Sequence, residues 1–210
     1  MIRTYKILSL LLSYPSEETY SLLPKVQKIL RREQLLPADA VADINTFTDF
    51  FHRGSLLEWQ EHYVQLFDLS RTVSLYLFEH VHGESRDRGQ AMVDLAGVYA
   101  ENGLVLNHSE LPDYLPVFLE FLARQTPANA SAYLADIIDI AATIHYRLQQ
   151  ADNPYRYLLS AIIQLSAHKP AEKTMQRIAS ELPAPELDKM YEEPPVTFSN
   201  NNPCINCKSQ

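Results

Sequence analysis

The chain has 210 residues, 46% of them hydrophobic, with 13 prolines, only 5 glycines and a formal net charge of −8. That length and apolar content suit one sizeable core, and the shortage of turn-forming glycine excludes an all-β protein in favour of an all-α one. Net negative charge without any long run of Lys and Arg argues against a nucleic-acid partner, and no apolar run approaches the roughly 20 residues of a membrane-spanning helix.

The first apolar run, Ile7 to Leu12, is short and followed by no small-residue cleavage site, so it reads as a core helix. Pro15-Ser16-Glu17-Glu18 predicts a helix to about Arg32. Proline is tolerated in a first turn, and carboxylates there meet the positive end of the helix dipole. Pro37 followed by Asp39 predicts another helix, to about His52. Trp59, Tyr63, Leu66, Phe67, Ser70, Ser74, Leu77, Phe78 and Val81 then keep helical spacing and predict one long helix with a large aromatic face. It runs into a dense polar stretch, Glu79-His80-Val81-His82-Gly83-Glu84-Ser85-Arg86-Asp87-Arg88-Gly89.

Beyond Gly83, Met92, Leu95, Ala96, Tyr99 and Ala100 predict a second amphipathic helix, stopped by Asn102-Gly103. The polar stretch is therefore expected to form a corner between two long helices. Thr126-Pro127 opens a helix in which Tyr133, Ile137, Ile140, Ile144 and Leu148 make one apolar stripe. Asn153-Pro154 repeats the signal for a helix through Ala167, and Lys169-Pro170 begins a weaker one. The expected architecture is a single-domain all-α bundle of about eight to ten helices over residues 1–182. Residues 183–210, rich in Pro and Asn, have the composition of a poorly ordered tail.

Two glycines and two histidines among charges of both signs make the polar stretch a better candidate for a site than for a spacer. One reading is a metal-binding protein or metalloenzyme built on His80, His82 and Glu84, since imidazole and carboxylate are ordinary ligands. His-x-His on a helix points its two rings to different faces, however, so convergence on one ion needs a break at Gly83. The plainer reading has these histidines bonding helix-end carbonyls or pairing with Glu79 and Glu84. Cys204 and Cys207 are too few for a disulfide framework and fit a reducing cytoplasm; as a Cys-x-x-Cys pair they lack the scaffold of a redox site and half the ligands of a structural zinc. No nucleophile elbow, phosphate-cradling loop or zinc-protease motif occurs, so an enzyme is not expected. Glu110 and Asp113, three apart in Glu110-Leu111-Pro112-Asp113-Tyr114-Leu115-Pro116, are expected on one face at a helix start.

Three stretches carry a family likeness: Tyr63 to Asp68, Leu77 to Met92, and Glu110 to Pro116. Together they closely resemble the NarJ-type respiratory nitrate reductase assembly chaperones, within the redox-enzyme maturation chaperone family that includes TorD and DmsD. The likeness continues more loosely from about Ser9 to Leu165. It implies a TorD-like all-helical domain without chemistry or cofactor of its own. Such a protein acts in the cytoplasm on the N-terminal segment of the nitrate reductase α subunit and keeps that subunit competent for molybdenum cofactor insertion. Proteins that deliver the cofactor are further implied partners. The family's Glu-x-Pro-Asp-His element maps onto Glu110, Pro112 and Asp113, with Tyr114 in place of histidine; a tyrosine can still stack and donate one hydrogen bond.

An amphipathic client helix would lay its apolar face in a groove lined by large side chains. The residues expected to form it are Tyr63, Leu66, Phe67 and Phe78, rimmed by Glu79, His80, His82, Glu84, Arg86, Arg88, Glu110, Asp113 and Tyr114. Arg86 and Arg88 would meet acidic client residues or pair with Asp87 and Glu84. Replacing Phe67 and Phe78 is then expected to weaken peptide binding without unfolding, unless the two are ordinary core residues.

Overall fold

The computed structural model describes residues 1–70, 72–82, 86–106 and 110–180. The proposed tail, Cys204, Cys207 and Glu84 lie outside them, as do the side chains of His82 and Arg86. The described chain is helical: α1 (Arg3–Leu12), α2 (Glu17–Glu33), α3 (Ala38–His52), α4 (Leu56–Tyr63), the short α5 (Glu79–His82), α6 (Arg86–Glu101), α7 (Leu115–Leu122), α8 (Pro127–Gln150), α9 (Arg156–Leu165) and α10 (Glu172–Ala179). Its extended backbone is limited to an isolated antiparallel bridge between Tyr76 and Tyr114 among the described residues.

Most helix starts follow from local chemistry. Ser16 accepts from the Thr19 N–H to cap α2, and Glu17 and Glu18 occupy its first turn. Ser55 and Glu58 form a reciprocal capping box at α4. Thr126 caps α8, with Pro127 in the first turn. The start of α1 has no cap of its own; instead Glu33, at the end of α2, accepts from the Arg3 N–H at 2.7 Å and the Thr4 N–H at 2.6 Å. That contact ties two helix ends together.

Helix α1 lies at the centre, its Leu8, Leu11 and Leu12 fully buried, and packs on α7, α2 and α9. Helix α3 packs on α2 and α9; the long α8 runs against α9 and carries α10. One end of the core is aromatic. The rings of Phe47 and Phe67 each stand edge-on to Tyr155 at 4.9 Å, and Trp59 stacks on Phe51. Trp59 Nε1 donates to the Tyr155 hydroxyl at 2.8 Å, satisfying a polar group in a wholly buried ring pair. Tyr155→Phe leaves that N–H without a partner, and we expect it to cost about 1–3 kcal/mol, read as a lower urea midpoint with an unchanged slope.

The long helix expected from Trp59 through Val81 does not form. Helix α4 ends at Tyr63, a wide π turn follows at Val64–Asp68, and residues 69, 70 and 72–78 are irregular up to α5. The polar stretch therefore joins a four-residue helix to α6 and is not a corner between two long helices. The reason is tertiary. Leu77 N–H donates to the Asp113 carbonyl (2.9 Å) and Leu115 N–H to the Leu75 carbonyl (2.8 Å), so this segment pairs sideways with the entry to α7. Arg147 of α8 holds it from below by donating to the Thr72 carbonyl at 2.6 Å.

Candidate functional site

The sideways pairing sets the second family-like stretch against the third, and the first meets the third through Tyr63 and Tyr114; the first and third supply residues to a cavity. Asp68 ends the π turn, Leu75 and Tyr76 lie on the irregular segment, and Glu110 and Tyr114 precede α7; with Tyr14, Tyr63 and Phe67 they line a cavity of about 250 Å³. Tyr14 comes from the turn between α1 and α2 and sets its ring edge-on to Tyr63 at 5.7 Å. Tyr76 and Tyr114 lean together at 5.2 Å between centroids and 33° between planes. Tyrosine thus supplies half of the lining residues.

Tyr114 both stacks and hydrogen-bonds, its hydroxyl 2.7 Å from that of Tyr63, which also donates to the Leu12 carbonyl at 3.1 Å. Burial raises the Tyr114 phenol to about 12 and pushes that of Tyr63 further, so both stay protonated at neutral pH. Tyr76 is also raised, first by burial and then by the negative charge of Glu110, Asp113, Glu79 and Asp68. Four carboxylates therefore contribute to the field at this phenol, two of them, Asp68 and Glu110, lining the cavity.

Those carboxylates differ in their partners. Asp113 is fully buried; its Oδ2 accepts from the Phe78 N–H at 3.2 Å and lies 3.6 Å from Arg88, which also pairs with Glu79 at 3.3 Å. Arg88 is thus the shared counter-ion of Glu79 and Asp113; Glu84, one partner expected from the sequence, lies outside the described residues. Asp113 Oδ1 and Arg88 Nε are buried without hydrogen-bond partners among the described residues. Burial raises the Asp113 carboxyl above the usual aspartate range despite the lowering effect of the Phe78 N–H and Arg88. Asp68 and Glu110 are exposed and make no ion pair among the described residues. Glu110 and Asp113 do not share a helical face: both precede α7, one exposed and the other fully buried.

The other expected site residues divide. Tyr63 and Phe67 belong to the core and present part of their surface to the cavity, while Leu66 and Phe78 are half-buried against that core. His80 Nε2 bonds the Ser74 carbonyl at 2.8 Å, a loop carbonyl and not a helix end. No group of three or more His, Cys, Asp or Glu side chains suited to a metal occurs among the described residues. Tyr14, Asp68, Leu75 and Tyr76 were not among the residues expected from sequence. Asp68 closes the first family-like stretch and Tyr76 immediately precedes the second; Tyr14 carries no local signal, since only tertiary packing brings its turn here.

No helix among the described residues is long and apolar enough to cross a membrane. In sequence, the NarJ nitrate reductase molybdenum cofactor assembly chaperone of Escherichia coli (strain K12) is 38% identical over 203 residues, covering 94% of this chain and 86% of that protein. The assembly chaperone NarW of the same strain is 37% identical, over 94% of this chain and 84% of its own length. In structure, a redox enzyme maturation protein from Archaeoglobus fulgidus aligns with a TM-score of 0.53 over 77% of this chain and 91% of that one, at 22% identity, a likeness of fold. Residues 33–160 match the family described as nitrate reductase delta subunit, and with the NarJ-type relatives matched along nearly its whole length, the chain belongs to that family.

Proposed function

We propose that this protein is a system-specific assembly chaperone, without enzymatic activity, for a respiratory nitrate reductase. It binds the N-terminal segment of the α (catalytic) subunit in the cytoplasm and keeps that subunit competent for molybdenum cofactor insertion. Proteins that deliver the cofactor meet the chaperone on the same client.

The observation that supports this reading is that the first and third family-like stretches meet, with Tyr14, Leu75 and Tyr76, around one cavity rich in tyrosine. A cavity of about 250 Å³ is too small for a helix and suits one or two side chains of a helix lying across its mouth. The mouth offers apolar surface for that helix. Leu69 and Leu111, chain neighbours of the lining residues Asp68 and Glu110, are 75% and 43% exposed, and Tyr14 is 52% exposed. Exposed apolar groups around a pocket are what a peptide-docking face requires. Tyr63, Leu66, Phe67, Phe78 and Tyr114 supply its floor and walls in this reading, and Glu79, His80, Arg88, Glu110 and Asp113 its polar frame. His82, Glu84 and Arg86 belong to the same polar stretch of the sequence.

Calorimetry with a synthetic peptide of the nitrate reductase α subunit N-terminus, against a scrambled peptide of equal composition, tests the proposal. Saturable 1:1 binding of the first and none of the second is expected, with Leu69→Ser and Leu111→Ser weakening it. Equal binding of both peptides, or of neither, would sink it.

A further inference from the structure

Charge is unevenly spread along the chain. Residues 1–32 contain six Lys or Arg against two Glu, a net +4, so the other 178 residues carry −12 within the formal total of −8. Most of the positive excess lies on one helix. α2 buries Thr19, Leu23, Val26 and Leu30 and exposes Lys25, Lys28, Arg31 and Arg32, with Lys25, Lys28 and Arg32 forming one stripe at helical spacing. No acidic residue occurs between Glu18 and Glu33, and Glu33 is engaged by the start of α1. Asp39, Asp43 and Asp49 of the adjacent α3 form no ion pair with the stripe. The helix dipole favours Arg31 and Arg32 in the last turn, but not Lys25 and Lys28 farther up. Like charges three and four apart repel, so the stripe costs stability unless an anionic occupant offsets it.

We propose that this stripe is covered by the acidic segment 186–193 of the same chain. Residues 181–193 lie outside the described residues and hold Glu181, Glu186, Asp188, Glu192 and Glu193 against Lys189 alone. The complementarity extends to apolar groups, since Leu22 and Ile29 are half-buried along one edge of the stripe and Leu187, Met190 and Tyr191 lie between the tail carboxylates. The tether is long enough. α10, beside the last described residue Ser180, reaches α2 through successive contacts with α8, α9 and α3. Four interhelix steps put the two helices within about 40 Å, and an extended chain leaving Ser180 covers that distance at about Glu192. Tethering keeps the segment at high effective concentration, so ion pairs that are individually weak hold it in place together. Other polyanions fit less well: α2 has its apolar face in the core and cannot sink into a bilayer, and the chain's net charge repels an anionic surface. The covered stripe is separate from the tyrosine-rich cavity, because it lies about 12–22 Å along α2 from the turn that carries Tyr14.

The test uses the full chain and two variants of it. Glu186→Gln/Asp188→Asn/Glu192→Gln/Glu193→Gln neutralises the segment, and Lys25→Gln/Lys28→Gln/Arg32→Gln neutralises the stripe without breaking any ion pair described above. In the first arm a carbodiimide, which joins amines to carboxyls in direct contact, is applied to mixed light and nitrogen-15-labelled chains. Peptide mapping should recover Lys25 or Lys28 joined to Asp188, Glu192 or Glu193 of the same molecule, with a yield at least about fivefold lower in about 0.5 M salt than in about 0.05 M. In the second arm the backbone amide NMR signals are followed. Neutralising the segment should move the signals of residues 25–32 to where the parent's move in high salt, and neutralising the stripe should move those of residues 186–193. Absence of the cross-link, or α2 signals indifferent to the tail variant, overturns the proposal. Links only between light and heavy chains would overturn it in favour of a second copy as the occupant. The tail variant alters no described residue, so the test stands even if the stripe variant fails to fold.

Discussion

Phe67→Ala will destabilise the fold by about 3–5 kcal/mol, the usual cost of removing a buried ring, and so cannot report cleanly on peptide binding. Phe67 is 8% exposed, and its ring stands 4.9 Å from both Tyr63 and Tyr155. Truncation opens a void beneath the cavity and also frees the ring network that holds Trp59 and Phe47. For a domain of this size each kcal/mol corresponds to about 2–4 °C in Tm. Thermal and urea unfolding should show the loss directly. Phe67→Leu, which keeps most of the volume, should lose less than half as much and retain peptide affinity. If Phe67→Ala melts with the parent while peptide affinity collapses, Phe67 belongs to the binding surface and not to the core.

That outcome bears on what the sequence reveals and what it conceals. Helices α2, α3 and α8 were legible because their starts are local: a proline or a capping hydroxyl, then carboxylates or an apolar stripe, all within a few residues. The tyrosine at position 114 could likewise be credited with a stack and a hydrogen bond from its side chain alone. Residues 64–78 were not legible, although their apolar spacing is helical. Periodicity records which residues are buried, and here burial is achieved by a π turn and a sideways bridge to residues 113–115, partners nearly forty positions away. The same non-local pairing explains why Glu110 and Asp113 separate, since a spacing of three joins side chains only on a helix that has already begun. It also explains Tyr14, whose turn meets Tyr63 only once α1 and α4 are packed. Fold class is a sum of local signals, whereas this cavity is made of contacts between segments that share none.

Arg88→Met should be the second severe change, costing about 3–5 kcal/mol at neutral pH, because it leaves the carboxylate of Asp113 buried without a counter-ion. Arg88 Nη2 lies 3.6 Å from Asp113 and 3.3 Å from Glu79, and Asp113 is fully buried. Without Arg88, the Phe78 N–H remains the main group favouring the charged form. The sign of the pH dependence follows. Asp113 is already raised above its ordinary value by burial, and losing the arginine raises it further, so the folded state holds a proton that the unfolded chain has released. Stability from that proton is complete below the ordinary aspartate range, about 3.9, and is lost as pH rises through the folded value. Urea titrations of Arg88→Met should therefore fall furthest below the parent at neutral pH and approach it on acidification. Adding Asp113→Asn removes the charge and should restore most of the loss at neutral pH, a coupling that a double-mutant cycle reads directly. A double variant no more stable than Arg88→Met, or a deficit that grows in acid, would show that the arginine acts through something else. Helix α6 meets the bundle mainly through Leu95, Val98 and Tyr99, and Tyr99 donates to the Pro112 carbonyl beside Asp113 at 2.8 Å. Loss of the ion pair thus loosens both the helix and the segment that presents Glu110 and Tyr114. Peptide affinity should fall with Arg88→Met and return with the double variant, although neither substituted side chain lines the cavity.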